Sequence, residues 1–425
     1  MQPRHVISGA VLALLAVATL VLYPVPHYSN LPPLSQCGYE SLALASSLAH
    51  HRGFADPFGT FATGPSALLA PAFPAFLAFI ISHAGNEQAA YTTMAQWATL
   101  IVVFQICLMP LLARYLGLGF YTGVGASVLW LVARVPREIV WEQNYTGVLI
   151  MVLTFLAYAA LRRKLQTVWL VVCAALWGGL ILLCPVALLA LAAWVVLVHL
   201  AGTQTRVQTL VLVLVPVLML APWTLRNYHR FHRLVLVRDN LGLELEISNN
   251  SCASFSFEIN QLNGCFAQHH PNENFGEVSR VAELGEVAYN QQRLHIAVGW
   301  IEGHPGEFAA LTAKRVAAFW LPSLLESEQA EIRDPEAHSV LRDAIVSLAS
   351  IAALAGLVVM WRRNRAACLI FVVWLTTFPV IYYIAAYNER YRIPVQWAIL
   401  LPACYAVRQL LKRLLPGHSE RGEAS

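Results

Sequence analysis

The chain has 425 residues, of which 58% are hydrophobic and 12% charged, with a net charge of +4. A soluble chain of this size carries about a quarter charged residues, so a water-soluble enzyme is excluded and lipid must cover much of the surface. The basic residues fall in short clusters between apolar runs rather than in one stripe, which argues against nucleic acid as a partner and makes the clusters topology signals.

Ten apolar runs approach the length of about 20 residues that spans a bilayer. They are Val6 to Tyr23, Tyr91 to Ala113, Gly119 to Ala133, Thr146 to Leu161, Val168 to Leu183, Val186 to Leu200, Leu210 to Pro222, Ala344 to Met360, Ala367 to Ala386 and Gln396 to Leu411. Cys184-Pro185 either separates two spans or kinks one long helix. The first run lacks a small-residue cleavage pattern and reads as a signal anchor. With the N terminus inside, Arg4, Arg114, Arg162, Arg163, Lys164, Arg206, Arg362, Arg363, Arg365, Arg408, Lys412 and Arg413 all fall in the cytoplasm, as the positive-inside bias requires.

The expected fold is mainly α: a polytopic membrane bundle of about ten transmembrane helices. Residues 1–222 form an N-terminal membrane module, whose first outer loop (24–90) carries a short helix from Tyr39 to about His50 and an apolar interfacial stretch, "ALLAPAFPAFLAFIISHAG". Residues 223–343 form a small mixed α/β extracytoplasmic domain: "RLVLVRDNLGLELEISNN" alternates like a strand, and helices follow over Glu277 to Glu302 and Pro305 to Trp320. Residues 344–425 complete the bundle and end in a cytoplasmic tail.

Glu40, beside Tyr39, stands at the start of a helix close to the membrane exit. It reads either as a first-turn acid favoured by the helix dipole or as a general base for an acceptor hydroxyl. "PREIVWEQNYTG" places Glu138 and Glu142 four residues apart, as a solvated loop, a second acid near the site, or a thin metal-ligand set. "APWTLRNYHRFHR" puts arginines outside against the usual bias, and Arg226, nearest the membrane, is the candidate for an anionic ligand.

Cys252 and Cys265 bracket "CASFSFEINQLNGC" and are candidates for a disulfide in an oxidising compartment. His269 and His270 in "QHHPNEN" lack zinc-ligand spacing, so no metal is assigned. "AAYNERYRIPVQWA" packs Glu389, Arg390, Tyr391 and Arg392 against the last span. Guanidinium forks there suit a phosphate, or pair with Glu389.

In this order, "GYESLALASSLAHHRGF", "FATGPSALLAPAFPAFLAF", "APWTLRNY" and the late "ERYRIP" resemble the polytopic C-type (GT-C) glycosyltransferases, specifically the bacterial protein-mannosyltransferase and aminoarabinose-transferase group. The resemblance implies transfer of a sugar from a polyprenyl-phosphate donor to an envelope acceptor outside the membrane, with inversion. Glu40 would be the catalytic acid, Arg390, Arg392 and Arg226 would hold the donor phosphate, and Tyr39, Glu138, Glu142 and Tyr391 would line the site. No cofactor is required, and a divalent cation is not supported. Many relatives carry an Asp or an Asp-Glu pair where this chain has Gly38-Tyr39-Glu40. A transporter or lipid flippase, or a non-catalytic envelope-assembly protein, is the competing expectation. Against the first, the spans are nearly free of charge and the ionisable groups collect at their ends.

Overall fold

The structure is a computed structural model that describes residues 3–25, 34, 38–59, 61–325 and 338–415. It is built from helices. The first part contains α1 (Pro3–Leu22), α2 (Glu40–Ala49), α3 (Ala72–His83), α4 (Glu87–Tyr115), α5 (Phe120–Val132), α6 (Gln143–Arg162), α7 (Thr167–Leu183), α8 (Ala187–Ala201) and α9 (Arg206–Phe231). A polar insert follows with α10 (Leu241–Ser248), α11 (Phe257–Leu262), α12 (Cys265–His269), α13 (Phe275–Leu284), α14 (Glu286–Gly303) and α15 (Pro305–Trp320). The chain returns to the bundle in α16 (His338–Arg363), α17 (Arg365–Thr377), the single turn α18 (Ile381–Ile384) and α19 (Ile393–Leu414).

The chain is an integral membrane protein. By length and composition, Glu87–Tyr115, Gln143–Arg162, Arg206–Phe231, Val340–Arg363 and Arg365–Ile384 are long and apolar enough to cross a bilayer. Shorter apolar helices, Ile7–Leu22, Phe120–Val132, Thr167–Leu183 and Ala187–Ala201, coincide with four more of the apolar runs in the sequence. The last helix differs in kind: residues 393–403 of α19 are buried without a break, so its surroundings are protein rather than lipid.

Two glycines let helices close on α19 and α4. A Cβ on Gly356 of α16 would stand 2.0 Å from the Pro402 carbonyl oxygen, and one on Gly123 of α5 would stand 2.4 Å from the Pro110 Cα. Small residues of this kind allow backbones to approach in a bilayer, where apolar helices gain little from hiding from lipid. Gly356→Ala must push α16 away from α19, and overpacking costs about 1–3 kcal/mol. A lower unfolding temperature in detergent, by several degrees, is the expected outcome.

The insert corrects one expectation. Among the described residues there is no sheet, only isolated bridges between Ala55 and Pro65 and between Ser256 and Tyr387. Leu234 to Val237 do alternate between exposed and buried, but no strand lies beside them. The following "LGLELEIS" is α10, in which Gly242, Leu243, Leu245, Glu246, Ile247 and Ser248 are all buried. A helix enclosed on every side loses the 3.6-residue pattern by which a sequence announces it.

Ionic contacts among buried side chains bind the insert together. Glu246 of α10 meets His269 of α12 at 2.7 Å and Arg293 of α14 at 3.5 Å, and Arg293 also pairs with Glu277 of α13, which accepts a bond from Tyr289 Oη at 2.9 Å. The insert is docked on the bundle by Arg315, Asn249 and Ser248. The first two donate to the Ile384 carbonyl at 3.0 and 2.9 Å, and Ser248 Oγ accepts from the Ala386 amide at 2.8 Å.

Candidate functional site

Five segments converge on a cavity of about 490 Å³ lined by residues from the start of α2, the loop before α3, the turn before α6, the insert and the segment before α19. Gly38, at φ +72°, supplies a left-handed turn that residues with a side chain rarely adopt, and the next two residues open α2 with Tyr39 as N-cap. Ser41 Oγ donates to the Val140 carbonyl at 2.6 Å, which ties that helix start to the turn before α6.

Glu40 is 9% exposed. Burial raises its pKa to about 7, partly offset by the backbone bond at the helix start. Its Oε1 accepts a 2.6 Å bond from Asn272 Nδ2 and lies 3.4 Å from His270 Nε2. Glu138 and Glu142 line the same cavity, and burial raises both above the usual carboxylate range. A carboxyl group near neutrality can accept a proton and release it again, as a general base must.

Arg390 enters from the opposite wall. Asn388 caps its turn by accepting from the Arg390 amide at 3.0 Å. Its guanidinium lies 4.1 Å over the Trp141 ring, and the edge of that indole meets Tyr39 with centroids 6.3 Å apart. Trp141 therefore stands between the acid's neighbour and the guanidinium, fixing both. Arg390 Nε is buried without a hydrogen-bond partner among the described residues. Tyr391 lines the cavity as well, stacked on Tyr382 at 4.3 Å.

Two of the expected phosphate ligands are elsewhere. Arg392 is 4% exposed and spends its donors inside the fold, on Gln396 Oε1 at 2.9 Å, the Phe319 carbonyl at 3.1 Å and Tyr387 Oη at 3.0 Å. Arg226 holds the first loop, donating to the Ser66 and Phe54 carbonyls at 2.6 and 2.8 Å beneath a stack with Trp223. Neither is among the residues that line the cavity, and these bonds tie both guanidinium groups to the framework.

The cavity also contains groups the sequence did not single out. Arg238 lines it, and no hydrogen bond or ion pair holds its guanidinium among the described residues. Trp141 and Asn272 line it as well, as does His270, which the sequence weighs only as a zinc ligand. Arginine after a strand-like run, and the asparagine of "QHHPNEN", were the available signals.

Cys252 and Cys265 are bonded, with Cα atoms 5.7 Å apart, and the bridge fixes the start of α12, which leads into His270 and Asn272. Among the described residues, the group of potential ligands close enough to share a metal ion is Cys252, Cys265 and His269. Its two sulfurs are consumed in the disulfide, so it does not fit a cation. Glu40, Glu138 and Glu142 share the cavity without forming such a group, and no step is assigned to a metal.

No protein-family profile and no curated protein sequence matches the chain. Solved structures do. Two structures of ArnT from Cupriavidus metallidurans, one apo and one bound to undecaprenyl phosphate, align at 12% identity over 94% and 97% of this chain and 77% and 79% of theirs. Their TM-scores of 0.35 and 0.39 are too low to bear on the fold. The Archaeoglobus fulgidus oligosaccharyltransferase, in its complex with Zn and sulfate, aligns over 95% of this chain at 13% identity with a TM-score of 0.52, and its apo form gives the same score over 96%. This chain spans about half the length of that protein, 49% and 51% in the two structures. The chain therefore shares the fold of the part of the archaeal oligosaccharyltransferase that it covers.

Proposed function

We propose that the protein transfers a sugar from a polyprenyl-phosphate donor to a hydroxyl-bearing acceptor in this cavity, with inversion at the anomeric carbon. The observation that carries the reading is the placement of Glu40 and Arg390 on one cavity, a buried carboxyl with raised pKa facing a guanidinium with an unused donor. In the reaction the acceptor hydroxyl gives its proton to Glu40 as its oxygen bonds to the anomeric carbon. The bond from that carbon to the phosphate oxygen breaks, and the electron pair leaves on polyprenyl phosphate. Arg390, with Arg238 as a second cation, meets the charge that develops on the phosphate. The lipid donor brings its own leaving group, so a nucleotide site is not needed.

Tyr39, Glu138, Glu142 and Tyr391 are proposed to contact the sugar or the acceptor. The positive-inside pattern supports placing the cavity on the extracytoplasmic side of a bacterial inner membrane, with the bundle of residues 1–222 and 344–425 in the bilayer and residues 223–343 outside it. The acceptor class is an envelope lipid, glycan or protein.

The test is a transfer assay. The protein in proteoliposomes is given radiolabelled polyprenyl-phosphate sugars and envelope extract, and product is compared between wild type and Arg238→Gln. Product from wild type with a marked loss in Arg238→Gln is expected. Movement of labelled lipid across the bilayer without product, for every donor tried, would replace the reading with that of a flippase. A cysteine placed at position 40 that reacts only from the cytoplasmic side would reverse the orientation.

A further inference from the structure

We infer that His270 and Asn272, from the insert, are positioning residues that hold the Glu40 carboxylate and set the pH at which it works. The inference rests on the reading of Glu40 as the base. Asn272 Nδ2 reaches both ends of the Gly38–Glu40 turn, donating to the Gly38 carbonyl at 3.0 Å and to Glu40 Oε1 at 2.6 Å. One amide thus fixes the left-handed residue and the acid that follows it.

His270 is held just as closely. Its Nδ1 accepts from the Asn272 amide at 3.1 Å, which leaves the proton of the neutral ring on Nε2, the nitrogen 3.4 Å from Glu40 Oε1. The ring is buried, stacked on Phe266 at 4.4 Å and met edge-on by Phe58 at 6.0 Å. Burial also pushes its pKa down to about 3, so it lies against Glu40 as a neutral ring rather than as a counter-ion.

The charged groups acting on Glu40 from the surrounding elements are Glu244 of α10, which disfavours the anion, and Arg390, which favours it. Neither is a hydrogen-bond donor to Glu40. At short range the anion is favoured, against the burial that opposes it, by the backbone bond at the helix start and by Asn272, with the neutral His270 Nε2 3.4 Å away.

The test reads the acid directly. Infrared difference spectra of the full-length protein in lipid are titrated, and the Glu40 carboxyl band is the one absent from Glu40→Gln. Asn272→Leu removes the donor without admitting water, and His270→Phe keeps the stack on Phe266 while removing Nε2–H. Each is expected to move the Glu40 titration upward by roughly one pH unit, with the acid limb of kcat/KM moving by the same amount. If Asn272→Leu does not fold, His270→Phe decides alone. An unmoved band in a folded variant overturns the inference. A band that moves while Glu40→Gln transfers sugar at the wild-type rate leaves the clamp standing and removes the base assignment instead.

Discussion

Glu40→Gln is expected to lower sugar transfer by two to four orders of magnitude, the range over which a positioned general base contributes. Gln keeps the size and the bond from Asn272 but cannot take the acceptor's proton. In the wild type, with the acid near pKa 7, kcat/KM is expected to fall tenfold for each pH unit below neutrality as the carboxylate protonates. Full transfer by the variant would remove Glu40 from the mechanism.

The same substitution has an opposite effect on stability, and its sign follows from the pKa. The folded value of about 7 lies above the ordinary value of 4.5, so the folded state holds the proton more tightly than the unfolded chain does. The favourable contribution is complete below pH 4.5 and is lost as pH rises through 7, amounting to about 3 kcal/mol at full ionisation. Burial also raises Glu286 to about 8 and Asp239 to about 6, so the wild-type pH dependence mixes several groups. The difference between wild type and Glu40→Gln isolates one of them. The variant's unfolding temperature should exceed the wild type's at pH 8.5 and match it near pH 4.5; an equal gap at both pH values would contradict the raised pKa.

Arg390→Gln should cost transfer about 100- to 1000-fold, as loss of one preorganised donor at a developing charge does elsewhere. Lysine should rescue poorly, because the planar guanidinium is stacked at 4.1 Å on Trp141 and an ammonium offers neither the plane nor the fork. Arg392 provides the control. Arg392→Ala strips bonds from the Phe319 carbonyl, Tyr387 and Gln396, so the protein should unfold at lower temperature. Whatever variant remains folded should keep the wild-type KM for the donor. A donor KM that rises with Arg392→Ala and not with Arg390→Gln would exchange their roles.

Apolar runs made most of the bundle legible, since a span must be helical and apolar for most of its length. Glu40 and Arg390, which the structure places on one cavity, could be picked out as candidates because each stands at the end of a run, and Cys252 and Cys265 because they bracket a short polar loop. That Arg392 and Arg226 lie away from the cavity was not legible, for one shared reason. A sequence shows that a guanidinium is present but not which carbonyls already hold it. The α10 helix was hidden by its own burial. Arg238, Trp141 and Asn272 escaped, and His270 was weighed only as a zinc ligand, because they reach the cavity through tertiary contact, Asn272 from 232 positions beyond Glu40.

That long sequence separation has a consequence for biogenesis. When α2 emerges during synthesis, residues 270 and 272 have not been made, so Glu40 is then an ordinary solvated carboxylate at a loop. Its contacts with Asn272 and His270 form only once the insert has seated against the bundle. The chain thus completes the surroundings of Glu40 late, and an interrupted product carries the residue without the neighbours that hold it.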